Sequence, residues 1–83
     1  MKPATRLENF KRKFGRYVKS RRIEMGWSQE FLADLMGNNA QNVSRLERGE
    51  INPTLYWCLK LAVAFEETLG EFINKFDGEK KEH

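Results

Sequence analysis

With 83 residues the chain has room for one compact domain and nothing beyond it. Its 40% hydrophobic and 33% charged residues exclude both a membrane-embedded chain and an unfolded one. A domain this small buries only roughly 60% of the surface its unfolded chain exposes, so self-association is a natural source of extra stability. The longest apolar run is too short to cross a bilayer, and the basic N-terminus is not followed by an apolar block, so neither a transmembrane helix nor a signal peptide is expected. Cys58 is alone and can form no internal disulfide, which suits a cytoplasmic protein.

The net charge of +3 is unevenly spread. Residues 1–30 carry nine basic side chains against three acidic ones, residues 31–60 balance, and residues 61–83 carry three basic against six acidic. A basic front and an acidic back can orient a molecule on a polyanion. The same pattern also suits solvated faces of amphipathic helices, and charge alone leaves both readings open.

In chain order, Thr5-Arg6-Leu7-Glu8 has the form of a capping box, and it predicts the start of a first helix. Leu7, Phe10, Phe14, Tyr17, Val18 and Met25 then recur at three- and four-residue spacing as one apolar stripe, and Gly26 closes the helix. Ser28 caps a second helix that ends at Gly37. Asn38 and Asn39 form a turn, with Asn39 able to cap a third helix from Ala40 to Arg48, closed by Gly49. Pro53 disfavours helical geometry at Asn52, so a fourth helix starts near Thr54 and turns Leu55, Cys58, Leu59, Ala62 and Phe65 inward. Thr68-Leu69-Gly70-Glu71 is a second capping box, opening a fifth helix with Leu69, Phe72, Ile73 and Phe76 inside. No alternating strand pattern and no repeat appears. The expected fold is all-α with five helices: an arm over 1–4, a domain over 5–76, and a charged tail over 77–83.

Two short helices joined by a tight turn place the second where it can enter a major groove. That geometry needs a small residue at the helix crossing, and Ala33 supplies it. The turn needs a residue without a β-carbon, which is Gly37. Apolar residues must hold the third helix from behind, and Val43 and Leu46 do so opposite Leu32 and Met36.

The segment VKSRRIEMGWSQEFLADLMGNNAQNVSRLERGEINPTL resembles the Cro/cI-type (Xre) helix-turn-helix family of lambdoid phage repressors. It contains the family's SQExLA and RLERGxxNP stretches, and the likeness extends from Phe14 to about Phe76. The resemblance implies a lambda-repressor-like fold and a sequence-specific transcriptional regulator, a repressor, that reads double-stranded DNA with the third helix. It turns Ala40, Gln41, Asn42 and Arg45 toward base edges, with Ser44 adding a base or phosphate contact. The chemistry agrees, because the amides of Gln41 and Asn42 suit adenine and the Arg45 fork suits guanine. Gln29, Asn39 and Arg48 match or adjoin phosphate-binding positions. Arg22 and Glu47 match residues that form a buried structural ion pair in the lambdoid repressors.

Three departures stand out. Asn38 replaces an apolar residue of the turn. Glu50 lies in a loop that often carries cations near the backbone. Glu66-Glu67 replaces a common Gly-Val between the fourth and fifth helices.

A single reading helix sees few base pairs, and regulators of this type pair on half-sites roughly 34 Å apart. A homodimer on a two-fold operator is therefore expected, with Tyr56, Trp57, Val63, Ile73 and Phe76 as interface candidates. The rival is an antitoxin or adaptor module whose main partner is another protein. Nothing suggests an enzyme: His83 is the one histidine and lies in the tail, and Cys58 reads as core. No cofactor, metal or membrane partner is expected.

Overall fold

The computed structural model describes the backbone of residues 3–80 and the side chains of residues 8–78. Five helices follow in order: α1 (Pro3–Glu24), α2 (Gln29–Met36), α3 (Ala40–Glu47), α4 (Leu55–Ala64) and α5 (Leu69–Lys80). The described residues include no strand. Contacts divide the chain between Asn52 and Pro53 into two compact units, one holding α1 to α3 and the other α4 and α5.

In the first unit the helix ends are set locally. Ser28 accepts from the Phe31 amide at 3.0 Å and opens α2. Asn39 accepts from the Asn42 amide at 2.9 Å and opens α3. Gly37 closes α2 at φ 67°, the left-handed geometry that a β-carbon penalises. The Asn38 amide donates to the Ala33 carbonyl at 2.8 Å across that turn.

The expected start of α1 is corrected by two residues. Pro3 begins the helix, so Thr5 lies in its first turn and Thr5-Arg6-Leu7-Glu8 does not cap it. Proline suits a first turn because its φ is already helical and its missing N–H would have no partner there. Of the arm expected over 1–4, Pro3 and Ala4 belong to α1, and Met1 and Lys2 lie outside the described residues.

The core of this unit is Phe14, Tyr17 and Val18 from α1, Leu32, Ala33 and Met36 from α2, and Val43 and Leu46 from α3. Phe14 sits against Tyr17 with ring centroids 6.2 Å apart. Phe10 and Met25, expected on the same stripe, are exposed instead. At Gly15 the backbone of α1 comes close against α3. A β-carbon there would lie 2.5 Å from the Leu46 carbonyl oxygen and 2.6 Å from that of Glu47, so the helices can meet only at a glycine.

Beside that contact lies a buried ion pair. Arg22 donates from Nε to Glu47 Oε2 at 2.7 Å and from Nη2 to Oε1 at 3.1 Å. Its Nη1 donates to the Trp27 carbonyl at 2.8 Å. Arg22 is 9% exposed and Glu47 6%. The guanidinium fork thus ties the end of α1 to the last turn of α3 and to the loop before α2.

In the second unit Thr54 caps α4, accepting from the Trp57 amide at 3.0 Å. The second capping box forms as expected: the Thr68 amide donates to Glu71 Oε1 at 2.9 Å, and the Glu71 amide to Thr68 Oγ1 at 3.0 Å. Leu61, Ala62, Phe65, Phe72 and Phe76 are buried, with the Phe65 and Phe72 rings stacked at 5.9 Å. The inward face of α4 is therefore shifted from the expected one. Leu55 and Leu59 are exposed, at 72% and 43%, and Leu61 takes their place. Cys58 is half-buried, and burial pushes its thiol pKa up, away from the reactive thiolate. The helix α5 runs past Phe76 to Lys80, because no proline halts its hydrogen-bond ladder in Asp77–Lys80. Of the expected tail, residues 81–83, including His83, lie outside the described residues.

Four helix ends share one closing pattern: paired amides donate back to the preceding turn, after Glu24, Met36, Glu47 and Ala64. Gly26, Gly37 and Gly49 hold the left-handed position in three of them, and Glu66, at φ 59°, holds it in the fourth. The Glu66-Glu67 departure thus places a side chain where glycine fits best.

Two stability predictions follow from these contacts. Arg22→Ala strands a buried carboxylate and should cost about 3–5 kcal/mol in urea unfolding, while Arg22→Met combined with Glu47→Leu should recover most of that loss. Glu66→Gly removes left-handed strain but loosens the unfolded chain, so a net gain of up to about 1 kcal/mol is expected. In a domain of this size a full gain of about 1 kcal/mol would raise the melting temperature by about 4–8 °C, so the rise should not exceed that.

Candidate nucleic-acid interface

The helix α3 buries one side and exposes the other. Val43, Leu46 and Glu47 face inward, while Gln41, Arg45 and Arg48 are exposed at four- and three-residue spacing. Asn42 and Ser44 are half-exposed between them, and Ala40, also half-buried, begins the helix. The five expected base-contact residues therefore lie on one helix whose apolar residues are spent on the core.

Most of these polar groups already have partners inside the chain. At the N-terminal end, Asn38 Oδ1 accepts from the Asn39 backbone amide and from Asn42 Nδ2, both at 2.8 Å. Asn39 Oδ1 accepts from the Asn42 backbone amide. The turn in which Asn38 stands in place of an apolar residue is thus built from hydrogen bonds that reach the first turn of α3. The pattern was missed from sequence, although an Asn one residue before an N-cap Asn is a local signal for it.

At the C-terminal end, Arg48 donates from Nε and Nη2 to Glu50 at 2.8 and 3.2 Å and from Nη1 to Ser44 Oγ. Arg45 Nε lies 3.9 Å from Glu50 Oε1. Glu50 is thus shared by two arginines. The hydrogen bond from Arg48 holds its carboxyl below the usual range, with the positive charges of Arg48 and then Arg45 adding to the effect. Because the folded-state value is lowered, this bond is present above the ordinary carboxylate pKa. It is lost only as pH falls through the lowered value, so Glu50 is ionised at neutral pH.

Gln29 is placed differently from a free phosphate donor. Its Nε2 donates to Glu47 Oε1 at 3.0 Å, so the buried carboxylate accepts three side-chain hydrogen bonds. Trp27 lies beside Phe31 with ring centroids 5.3 Å apart, at the entrance to α2.

Among the interface candidates on α4 and α5, Tyr56 and Val63 are exposed at 64% and 63%, and Trp57 and Ile73 are half-buried. Phe76 is corrected: at 4% exposure it is buried with the other core residues of the second unit and is not available to a partner. Leu55 and Leu59, not expected there, join Val63 at four-residue spacing, with Tyr56 beside them and Lys60 over its ring at 4.5 Å. No group of three or more metal-ligating side chains occurs among the described residues, and no described helix is long and apolar enough to cross a membrane.

The helix-turn-helix family model HTH_3 matches residues 18–72. The chain is similar to the uncharacterized HTH-type transcriptional regulator YgzD of Bacillus subtilis, 40% identical over 48 residues, which are 58% of this chain and 73% of YgzD. Among solved structures it resembles the restriction-modification controller protein C.AhdI from Aeromonas hydrophila, with a TM-score of 0.69 and 39% identity, covering 74% of this chain and 92% of that one. It also resembles an HTH_3 family transcriptional regulator from Vibrio cholerae, with a TM-score of 0.74 and 28% identity, covering 83% of this chain but only 39% of that protein. The family model spans well over half of the sequence and coincides with the turn and helix just described, so the chain belongs to the HTH_3 family of helix-turn-helix transcriptional regulators.

Proposed function

We propose that this DNA-binding regulator lays α3 in the major groove of a two-fold operator and binds it as a homodimer. The observation that carries the reading is the division of α3 into a buried apolar side and an exposed side of amides and guanidinium groups. Gln41, Asn42 and Arg45 serve as base readers, Ala40 offers a methyl group to thymine, and Ser44 adds a polar contact. Asn39 and Arg48 flank them as phosphate contacts. Gln29 joins them by exchanging its bond to Glu47 for a phosphate oxygen at the start of α2. The exposed α4 stripe of Leu55, Tyr56, Leu59 and Val63 supports pairing of two copies. Repression follows if the bound dimer covers a promoter. The mechanism is binding alone, without catalysis, cofactor or metal, and it places the protein in the cytoplasm with the nucleoid.

Selection of bound sequences tests the reading face. Arg45→Ala should relax preference at one base position and weaken the best site by about 1–3 kcal/mol. An unchanged selected sequence would show that Arg45 does not read bases.

Salt tests the electrostatics and separates DNA binding from a protein-partner role. Neutralising about six phosphates makes affinity fall roughly a thousandfold between 50 and 200 mM salt. Glu50 occupies Arg48, the proposed phosphate contact, and its negative charge also lies beside Arg45, so Glu50→Gln should tighten binding to every sequence by roughly three- to tenfold at low salt. Electrophoretic or fluorescence titration across salt concentrations measures both effects, and binding indifferent to salt would point to the protein-partner role.

A further inference from the structure

We infer that Asn38, outside the reading helix, is a specificity-determining residue that fixes which way the Asn42 amide faces and so restricts that position to adenine. The inference rests on Asn42 being a base reader, as proposed above.

A carboxamide has an acceptor end and a donor end, and rotation by half a turn exchanges them. At Asn38 that choice is settled by the backbone. The atom 2.8 Å from the Asn39 N–H must be an acceptor, so it is the side-chain oxygen. The same oxygen lies 2.8 Å from the terminal amide of Asn42, which must therefore present its nitrogen there. Turning the Asn42 amide over would bring two oxygens together at hydrogen-bond distance. The Asn42 backbone amide is held as well, by the N-cap bond to Asn39. Both the main chain and the side chain of Asn42 are thus fixed before any partner arrives.

One N–H of Asn42 is consumed by Asn38. The carbonyl oxygen and the second N–H remain, in a fixed order. In the major groove, adenine offers a donor and an acceptor side by side, whereas guanine offers two acceptors. An amide with one free N–H and one oxygen matches adenine and sets its oxygen against the guanine O6. A freely turning amide with both N–H groups available can donate to guanine instead. Asn38 therefore acts through Asn42, as a positioning residue, by excluding guanine.

The test compares base preference in the wild type, Asn38→Ala, Asn38→Asp, Asn42→Ala and the double alanine variant. Each is titrated against duplexes carrying all four bases at every operator position. Asn38→Ala should reduce adenine-over-guanine discrimination by about tenfold at one position, the same position that Asn42→Ala relaxes. The double variant should show no further relaxation there. Asn38→Asp keeps an oxygen acceptor for both amides, so it should retain the wild-type preference while its added charge weakens all sequences together. Thermal melting of each variant separates loss of fold from loss of reading.

If Asn42→Ala relaxes one position and Asn38→Ala leaves it sharp, or weakens every sequence equally, the orienting role is overturned while the reading helix stands. If Asn42→Ala changes no base preference, the assignment of Asn42 as a reader fails, and the role of Asn38 fails with it.

Discussion

The charged pair between Arg22 and Glu47 is the constraint on which the rest of the helix-turn-helix unit depends. It sits where the end of α1, the loop into α2 and the last turn of α3 converge. Two charges can be held out of water there because each is saturated with hydrogen bonds. Glu47 accepts from both ends of the guanidinium fork and from Gln29, and no described buried side-chain nitrogen or oxygen lacks a partner. Apolar burial of Val43 and Leu46 on α3 and of Leu32 and Met36 on α2 holds the helices close but tolerates small slips. A bidentate pair fixes direction as well as distance. Gly15 adds a second constraint by bringing the α1 backbone against the Leu46 and Glu47 carbonyls.

That face is prepared in advance. Asn38 and Asn39 fasten the first turn of α3, and Glu50 and Ser44 hold Arg48 near its end. Ordering long polar side chains on binding costs entropy, and side chains already held by neighbours pay less of it. The arrangement also carries an opposing term. Each such bond occupies a donor, so any partner that takes up Arg48 or Gln29 must displace Glu50 or Glu47.

The α4–α5 unit follows a different logic. Its buried residues are aromatic and aliphatic, and its exposed α4 stripe is apolar too, so this helix spends hydrophobic residues on more than one side. Glu66 closes α4 in left-handed geometry, a strained choice at a helix end whose counterparts in the chain use glycine.

Local chemistry made much of this legible in the amino-acid sequence. Ser28, Asn39, Thr54 and the Thr68–Glu71 box mark helix starts because each cap bonds a backbone amide only a few residues away. Ala33, Val43 and Leu46 mark the helix-turn-helix because their buried positions admit few side chains, and Gly37 marks its turn because the backbone there is left-handed. The inward side of α4 was not legible. Leu55 to Phe65 contains apolar residues on several faces, so helical spacing alone admits both the expected stripe through Leu55 and Leu59 and the observed one through Leu61. Likewise, Phe10 and Met25 keep the period of α1 yet stand outside its core. The partners of Gln29 and Glu50 were equally hidden, since which carboxylate meets which donor depends on how chain segments return to one another. Sequence determined where the helices begin and turn, because those forces act over three or four residues. Tertiary structure decided which faces are covered and which polar groups are already engaged, because those depend on neighbours far away along the chain.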